Sequence, residues 1–295
     1  MYPFLVSADW HGQTKELPPS EILIHCGDLY NSPGPDDEIR TRIATSMECY
    51  RYVIGVAGNH DRGSVCSPID TMRHLNPTKF FMFSRTINSI IIDNINFVLV
   101  PWMPEIKDIE VMIEYKIKKG YSNVLITHGT PLAEARGYDR FVIPPGIEKK
   151  FDFVFAGHIH RSAVYGNVYI PGSIEKIDFG ERDDTKGVFA FDGKKATFIE
   201  IESKKMYFFG NLPIDEARKV IATYPPGSLV RGNVVVEDGL PVTIDRNDIE
   251  LEIGIIRPKK SRTTGTIVSD WRENLKNFTG KDELVALAEK ILMEE

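Results

Sequence analysis

Short apolar runs recur along the first half of the chain, and several stop at a polar side chain. Residues 2–8 (YPFLVSA) end at Asp9, and 21–26 (EILIHC) end at Gly27-Asp28. YVIGVAG leads to Asn59, NVLITHG closes at His128 and FDFVFAGH closes at His158. Runs this short, rich in branched and aromatic residues, predict buried strands. Strands are also predicted at 87–93 (INSIIID) and 95–100 (INFVLV). A Pro/Gly turn followed by acidic residues predicts a helix from about Asp36, and further helices are expected near 66–74 and 105–119. After His160 the helical pattern stops, and AVYGNVYIPG, GVFAFD and KATFIEIE predict a second sheet packed on the first.

The character changes near residue 203. A helix, a Pro-Pro-Gly turn and strands in GSLVRGNVVVEDG and DIELEIGIIRP predict a small α+β domain. RPKKSRTTG reads as a basic linker, and in KDELVALAEKILMEE the residues Leu284, Leu287, Ala288, Ile291 and Leu292 share one helical face. That face packs on its own domain or docks on a partner; the tail has no visible core of its own, which favours docking. The expected division is 1–202, 203–258 and 259–295.

In open α/β sheets, ligands gather at the carboxyl ends of the strands. Five strand ends carrying metal-capable or proton-capable groups would form one rim. On an extended stretch Asp9 and His11 point the same way and can reach one cation. His158 and His160 repeat that spacing, and Asp28 could bridge two cations. With Asn59 and His128 the set is two Asp, one Asn and four His. Mixed oxygen and nitrogen donors suit manganese, iron or zinc better than calcium. Seven donors with a bridging carboxylate suit two metals, which can clamp a phosphate for in-line attack. Within GNHD, Asn59 would ligate, His60 would point at the substrate to stabilise the transition state or protonate the leaving oxygen, and Asp61 would accept its ring proton. A lone His is more often structural than a ligand; His25, before its GD, and His74, in an expected helix, are read that way.

Bulk properties narrow the classes. The 295 residues are 42% hydrophobic and 26% charged, an ordinary globular composition. No apolar run approaches the roughly 20 residues of a membrane span. MYPFLVSADWHG reads as a first strand rather than a signal peptide, so the expected compartment is the cytoplasm. Cys26, Cys49 and Cys66 are odd in number with no CxxC pair, which fits free thiols. A net charge of −6 argues against coating nucleic acid by charge alone, but not against a nuclease with a carboxylate-rich metal site.

Asp9-x-His11, Gly27-Asp28, Gly58-Asn59-His60-Asp61, a lone His128 and Gly157-His158-x-His160, in that order, resemble the five blocks of the calcineurin-like metallophosphoesterases. The resemblance covers residues 1–200 and implies an α/β four-layer α/β/β/α sandwich. It implies that Asp9, His11, Asp28 and His160 bind one metal, and that Asp28, Asn59, His128 and His158 bind the other. His60 is then the catalytic acid with Asp61 as its partner. Pro171-Gly172-Ser173, Phe179-Gly180-Glu181 and Lys186-Gly187 are similar to a segment of the SbcD nucleases, the meiotic-recombination-eleven type. GSLVRGNVVVEDG resembles part of their small capping domain. That branch implies manganese-dependent cutting of DNA ends and hairpins, a homodimer, nucleoid association and an SbcC-type ATPase docked here on 267–295. Some members carry a His three residues after the GD aspartate, where it helps position the scissile phosphate; here Asn31 stands there, a departure from that pattern that bears on exonuclease strength. Arg257, Lys259, Lys260 and Arg262 form the clearest basic cluster, either touching phosphate or lying in a solvated linker. Two other readings compete. The same metals would serve a phosphodiesterase or phosphatase acting on a small molecule, and the acidic charge favours it. A metal-free scaffold should have lost ligands, and none is lost here.

Overall fold

The first strand already contains the logic of the fold: Phe4 and Val6 face one apolar layer and Leu5 faces another. The computed structural model describes residues 4–63, 68–71, 80–104, 106–137, 139–236, 244 and 246–257. In chain order come β1 (Phe4–Ser7), β2 (Ile22–His25), α1 (Asp37–Met47), β3 (Tyr52–Val56) and β4 (Phe80–Ser84). Next are β5 (Asn88–Ile92), β6 (Ile95–Val100), α2 (Ile109–Glu114), β7 (Ser122–Thr127) and β8 (Phe153–Ala156). Then follow β9 (Ala163–Tyr165), β10 (Val168–Ile170), β11 (Gly187–Phe191) and β12 (Ala196–Glu200). Two six-stranded sheets result, ordered β12-β11-β1-β2-β3-β4 and β5-β6-β7-β8-β10-β9.

Strands β1 to β4 run parallel, as do β6 to β8. Every residue of β1 and β2 is buried, as expected for parallel strands covered on both faces. Phe4, Val6, Ile24 and Val56 of the first sheet meet Phe97, Leu99, Ile126 and Phe155 of the second. The Phe4 ring lies edge-on to Phe97 at 5.6 Å and to Phe155 at 5.9 Å. On the outer face of the first sheet, Ile43 and Met47 of α1 cover Leu5, Leu23 and Val53. On the outer face of the second, Ile113 of α2 packs with Val98, Leu125 and Val154. The layers therefore run α/β/β/α. Helix α1 starts where its acidic residues predict: Asp36 caps it by accepting from the Ile39 N–H at 2.8 Å.

Three expectations change. The helix expected over 105–119 shortens to α2, because Asp108 takes a left-handed backbone and offers no side-chain cap. Within 66–74, Pro68–Thr71 is a 3-10 turn and the rest lies outside the described residues. The second sheet does not wait for the strands after His160. It begins at β5, and β9 and β10 extend it, whereas β11 and β12 return to the first sheet. Pairing β11 antiparallel to β1 covers an otherwise open edge and stacks Phe191 on Phe4 at 4.6 Å. The five polar strand ends consequently lie on two sheets: Asp9, Asp28 and Asn59 follow β1, β2 and β3, while His128 and His158 follow β7 and β8.

The chain divides into two compact units at Met206/Tyr207. The second has its own sheet, β13 (Met206–Pro213), β14 (Leu229–Val235) and β15 (Glu250–Ile256), and a helix α3 (Ile214–Ala222). Ala217 and Ile221 of α3 pack with Phe209, Val230 and Val234. Cys66, His74, Lys259, Lys260, Arg262 and the tail 267–295 lie outside the described residues. Among the described residues, no helix is long and apolar enough to cross a membrane.

Phe155 is fully buried between the sheets. Phe155→Ala is expected to lower the unfolding free energy by about 3–5 kcal/mol, read as a fall in the urea midpoint. Tyr115, 80% exposed, should tolerate Ala within about 0.5 kcal/mol.

Candidate metal centre

Four of the seven donors are delivered through a forced backbone. Asp9, His11, Asp28 and His158 all have positive φ, at 51°, 48°, 53° and 76°. A side-chain-bearing residue in that region costs about 1–2 kcal/mol. The expected extended geometry of Asp9-x-His11 is therefore wrong; a left-handed turn brings both to one place. The turn is secured by Asp9 N–H donating to the Gly27 carbonyl at 3.0 Å and His11 N–H to that of Asp28 at 3.1 Å. The kink at His158 has the opposite effect on its own pair, sending His158 and His160 to different neighbours. Gly58 is required by close approach, since a Cβ there would collide with the Asp28 carboxylate.

The side chains form two groups. His11 Nε2 lies 3.2 Å from His160 Nε2 and 4.0 Å from Asp9 Oδ1, and His160 Nε2 lies 3.9 Å from that same oxygen. In the second group Asn59 Oδ1 is 3.0 Å from His128 Nε2 and 3.1 Å from His158 Nδ1. Asp28 Oδ2 belongs to both, 3.8 Å from His11 Nε2 and 3.2 Å from His128 Nε2. All seven residues picked from the sequence as ligands are thus brought together.

Partners behind the rings fix what faces inward. His128 Nδ1 is 2.7 Å from the Cys26 carbonyl, an acceptor, so that nitrogen carries the proton. His160 Nδ1 is 2.8 Å from Glu181 Oε1, and His11 Nδ1 is 3.2 Å from Asn31 Oδ1. In the neutral rings each Nε2 is then a lone pair. The lone pairs of His11 and His160 face each other, and that of His128 faces two oxygens that also only accept. Lone pairs opposed at hydrogen-bond distance repel, and a cation shared between them removes the conflict. The donor set therefore fits two divalent cations, with Asp28 common to both.

The electrostatics agree. Burial, the largest effect, pushes His11 and His158 down to about 4, leaving neutral rings to ligate. Burial alone would lower His128 too, but the Asp28 and Asp9 carboxylates raise it to about 9. Burial likewise raises Asp9 to about 6, whereas His128 more than offsets burial at Asp28 and holds it well below the usual carboxylate range. The centre calls for positive charge, from a proton on His128 or from metal.

A model of the calcineurin-like phosphoesterase family matches residues 2–162. The chain belongs to this family. Its members depend on two metals, and this phosphoesterase clusters the donors for them. No curated protein matches the chain. Among solved structures it is similar to an archaeal phosphodiesterase, at 16% identity over 68% of this chain and 99% of that one, with a TM-score of 0.37. Phosphopantetheinyl hydrolase from Mycobacterium tuberculosis aligns at 14% identity over 57% and 87%, with a TM-score of 0.39. A metallophosphoesterase from Sphaerobacter thermophilus aligns at 13% over 76% and 95%, with a TM-score of 0.33.

Two residues of the phosphoesterase act differently from expectation. Asp61 does not take the His60 ring proton. Its buried carboxylate accepts main-chain N–H groups from Gly58 at 2.9 Å, Tyr30 at 2.9 Å and Leu29 at 3.2 Å, tying the loop after β3 to the loop after β2. The His60 Nδ1 instead lies 3.1 Å from the Asn31 carbonyl. Asn31, read only as a departure from the family, thus orients His60 through its backbone and His11 through its side chain. His25 is structural as expected: it is buried and accepts from the Gly27 N–H at 3.2 Å.

Glu181 was legible only as part of a family segment; its contact shows what it does. Its second oxygen accepts from Ser173 Oγ at 3.0 Å and from Lys186 Nζ at 2.6 Å. Lys186 is itself buried, and also donates to the His160 carbonyl at 2.9 Å. Hydrogen bonds from the His160 ring and the Lys186 ammonium hold Glu181 down at about 2 against the effect of burial, so it stays ionised behind His160.

Glu181→Gln is expected to weaken metal binding about 10–100-fold in calorimetric titration while the far-UV dichroism stays unchanged. Metal uptake at pH 7.5 should release at least one proton, since His128, raised from 6.5 to about 9, holds one that a cation at Nε2 would displace, and His160 is raised as well. Without metal, the stabilisation from the His128 proton is complete below about 6.5 and is lost as pH rises through about 9. Calorimetry in buffers of different ionisation enthalpy counts the protons.

Proposed function

We infer that this phosphoesterase is a manganese-dependent DNA nuclease of the SbcD type, cutting phosphodiester bonds at DNA ends by two-metal hydrolysis. The observation that carries the hydrolytic part is Asp28: one carboxylate oxygen reaches both ligand groups, and its other oxygen accepts the His60 N–H at 2.9 Å. Asp9, His11, Asp28 and His160 would hold one cation, and Asp28, Asn59, His128 and His158 the other. Bound cations neutralise phosphate charge and polarise its P–O bonds. Iron or zinc fits these donors as well.

The acid lies in the chain itself. His60 Nδ1 donates to the Asn31 carbonyl, so proton exchange is left to Nε2. When the ester bond breaks, His60 in its imidazolium form would pass its Nε2 proton to the departing oxygen and become a neutral ring, with Nδ1–H still on the Asn31 carbonyl. His60 is more exposed than His11 and Asp28 beside it, as a group that meets substrate should be.

Support for DNA as substrate comes from the Ser173, Glu181 and Lys186 segment, which resembles that of the SbcD nucleases, and from the separate α+β unit after the phosphoesterase domain. In this reading the protein works as a homodimer near the nucleoid in the cytoplasm. An SbcC-type ATPase docks on 267–295. The net charge of −6 favours a second reading, a phosphodiesterase or phosphatase acting on a small molecule.

The test is manganese-dependent cleavage of labelled linear duplex and hairpin DNA beside bis(p-nitrophenyl) phosphate. DNA shortening supports the nuclease; turnover of the small diester with intact DNA supports the second reading. His60→Ala should lower turnover about 10²–10⁴-fold and leave metal content intact. Full activity in that variant would remove His60 from the acid role.

A further inference from the structure

Two residues after His60 in the chain stands a cation that the two-metal chemistry does not use. Arg62 is exposed and forms no ion pair among the described residues. Its neighbours in charge differ: Arg161 pairs with Glu134 at 3.4 Å and Arg85 with Asp70 at 2.9 Å. Arg62 is nevertheless held. Its guanidinium carbon sits over the Trp102 ring, 5.5 Å from the centroid, and Nη1 is 3.4 Å from the Trp102 carbonyl. Trp102 is anchored in turn. It packs on the outer core of the second sheet, and its N–H donates to the Ala57 carbonyl at 2.9 Å, directly before Gly58-Asn59. Trp102 is thus tied to the residue that precedes Gly58-Asn59, and Arg62 follows His60-Asp61 directly in the chain.

A guanidinium held over an aromatic ring and beside a carbonyl has lost part of its rotamer freedom before anything binds, and its remaining N–H groups are a preorganised donor set. The guanidinium fork matches phosphate oxygens in a bidentate manner. The phosphate being cut already has cations to meet it. We propose that Arg62, braced by Trp102, is a subsite for a second phosphate that is not cut, so that the enzyme prefers phosphodiesters carrying another phosphate one nucleotide away. The proposal rests on the phosphodiesterase reading and narrows its substrate to nucleic acid or phosphorylated oligonucleotides. A diester with no further negative charge leaves the fork unused.

Binding separates this claim from catalysis. Dithymidylate bearing a 5′ or a 3′ terminal phosphate, and the same dinucleotide with neither, are titrated in manganese into the His60→Ala protein, which cannot consume them. One of the phosphorylated forms should bind at least about tenfold tighter than the unphosphorylated one. Adding Arg62→Ala should shrink that preference below about twofold, and Arg62→Lys should restore only part of it. A preference that survives Arg62→Ala, or no preference before it, overturns the proposal. Hydrolysis of bis(p-nitrophenyl) phosphate by the unsubstituted protein is measured alongside. Its absence would sink the phosphodiesterase reading, while a phosphate preference that depends on Arg62 would still stand as a binding site.

Discussion

Acceptor faces acceptor where the two sheets meet. His11 and His160 oppose nitrogen lone pairs 3.2 Å apart, and His128 opposes two oxygens. With Glu181, the Asn31 side-chain oxygen and the Cys26 carbonyl on the outer nitrogens, added positive charge relieves this: a proton on His160 or His128, both raised, or a cation. The arrangement makes sense around positive charge. It also explains why the donors come from both sheets. A cation bound here would join the rim of β1–β3 to the rim of β7–β8, alongside direct protein contacts. His128 reaches the Cys26 carbonyl, and the His158 N–H reaches the Asp9 carboxylate at 3.1 Å.

That geometry is maintained against cost. Four of the ligands have left-handed backbones, and Asp61, Lys186 and Glu181 are buried charged side chains. The surrounding structure over-determines each of them. Asp61 gathers three main-chain N–H groups, and Lys186 satisfies its ammonium with the His160 carbonyl, Ser173 and Glu181. These buried networks sit directly behind ligands. The rigidity they supply is spent on placing Asp28, Asn59 and His160.

The ligand set was legible in the sequence because five donors end apolar runs, with His11 and His160 two residues beyond such ends, and a buried strand that stops at a polar group needs a partner for it. Phe4, Val6 and Leu5 show why the layers were legible too: alternate burial of consecutive residues demands cover on both faces. What the sequence did not reveal is longer in range. The return of β11 beside β1 depends on an edge that only the assembled sheet possesses. The roles of Asp61 and Asn31 depend on turns set by positive φ at Asp28 and on main-chain groups, to which side-chain patterns are blind. Glu181 could be found only by a segment likeness, because its partner His160 is 21 residues away in the chain.

The most direct measurement is the number and coupling of manganese ions held by each chain, by calorimetric titration with electron paramagnetic resonance on the same sample. If Asp28 Oδ2 serves both groups, the expected result is two ions per chain with an exchange-coupled signal, and Asp28→Ala should abolish the coupling. One ion per chain, or two whose spectrum is that of isolated ions, would contradict a shared carboxylate and with it the dinuclear centre.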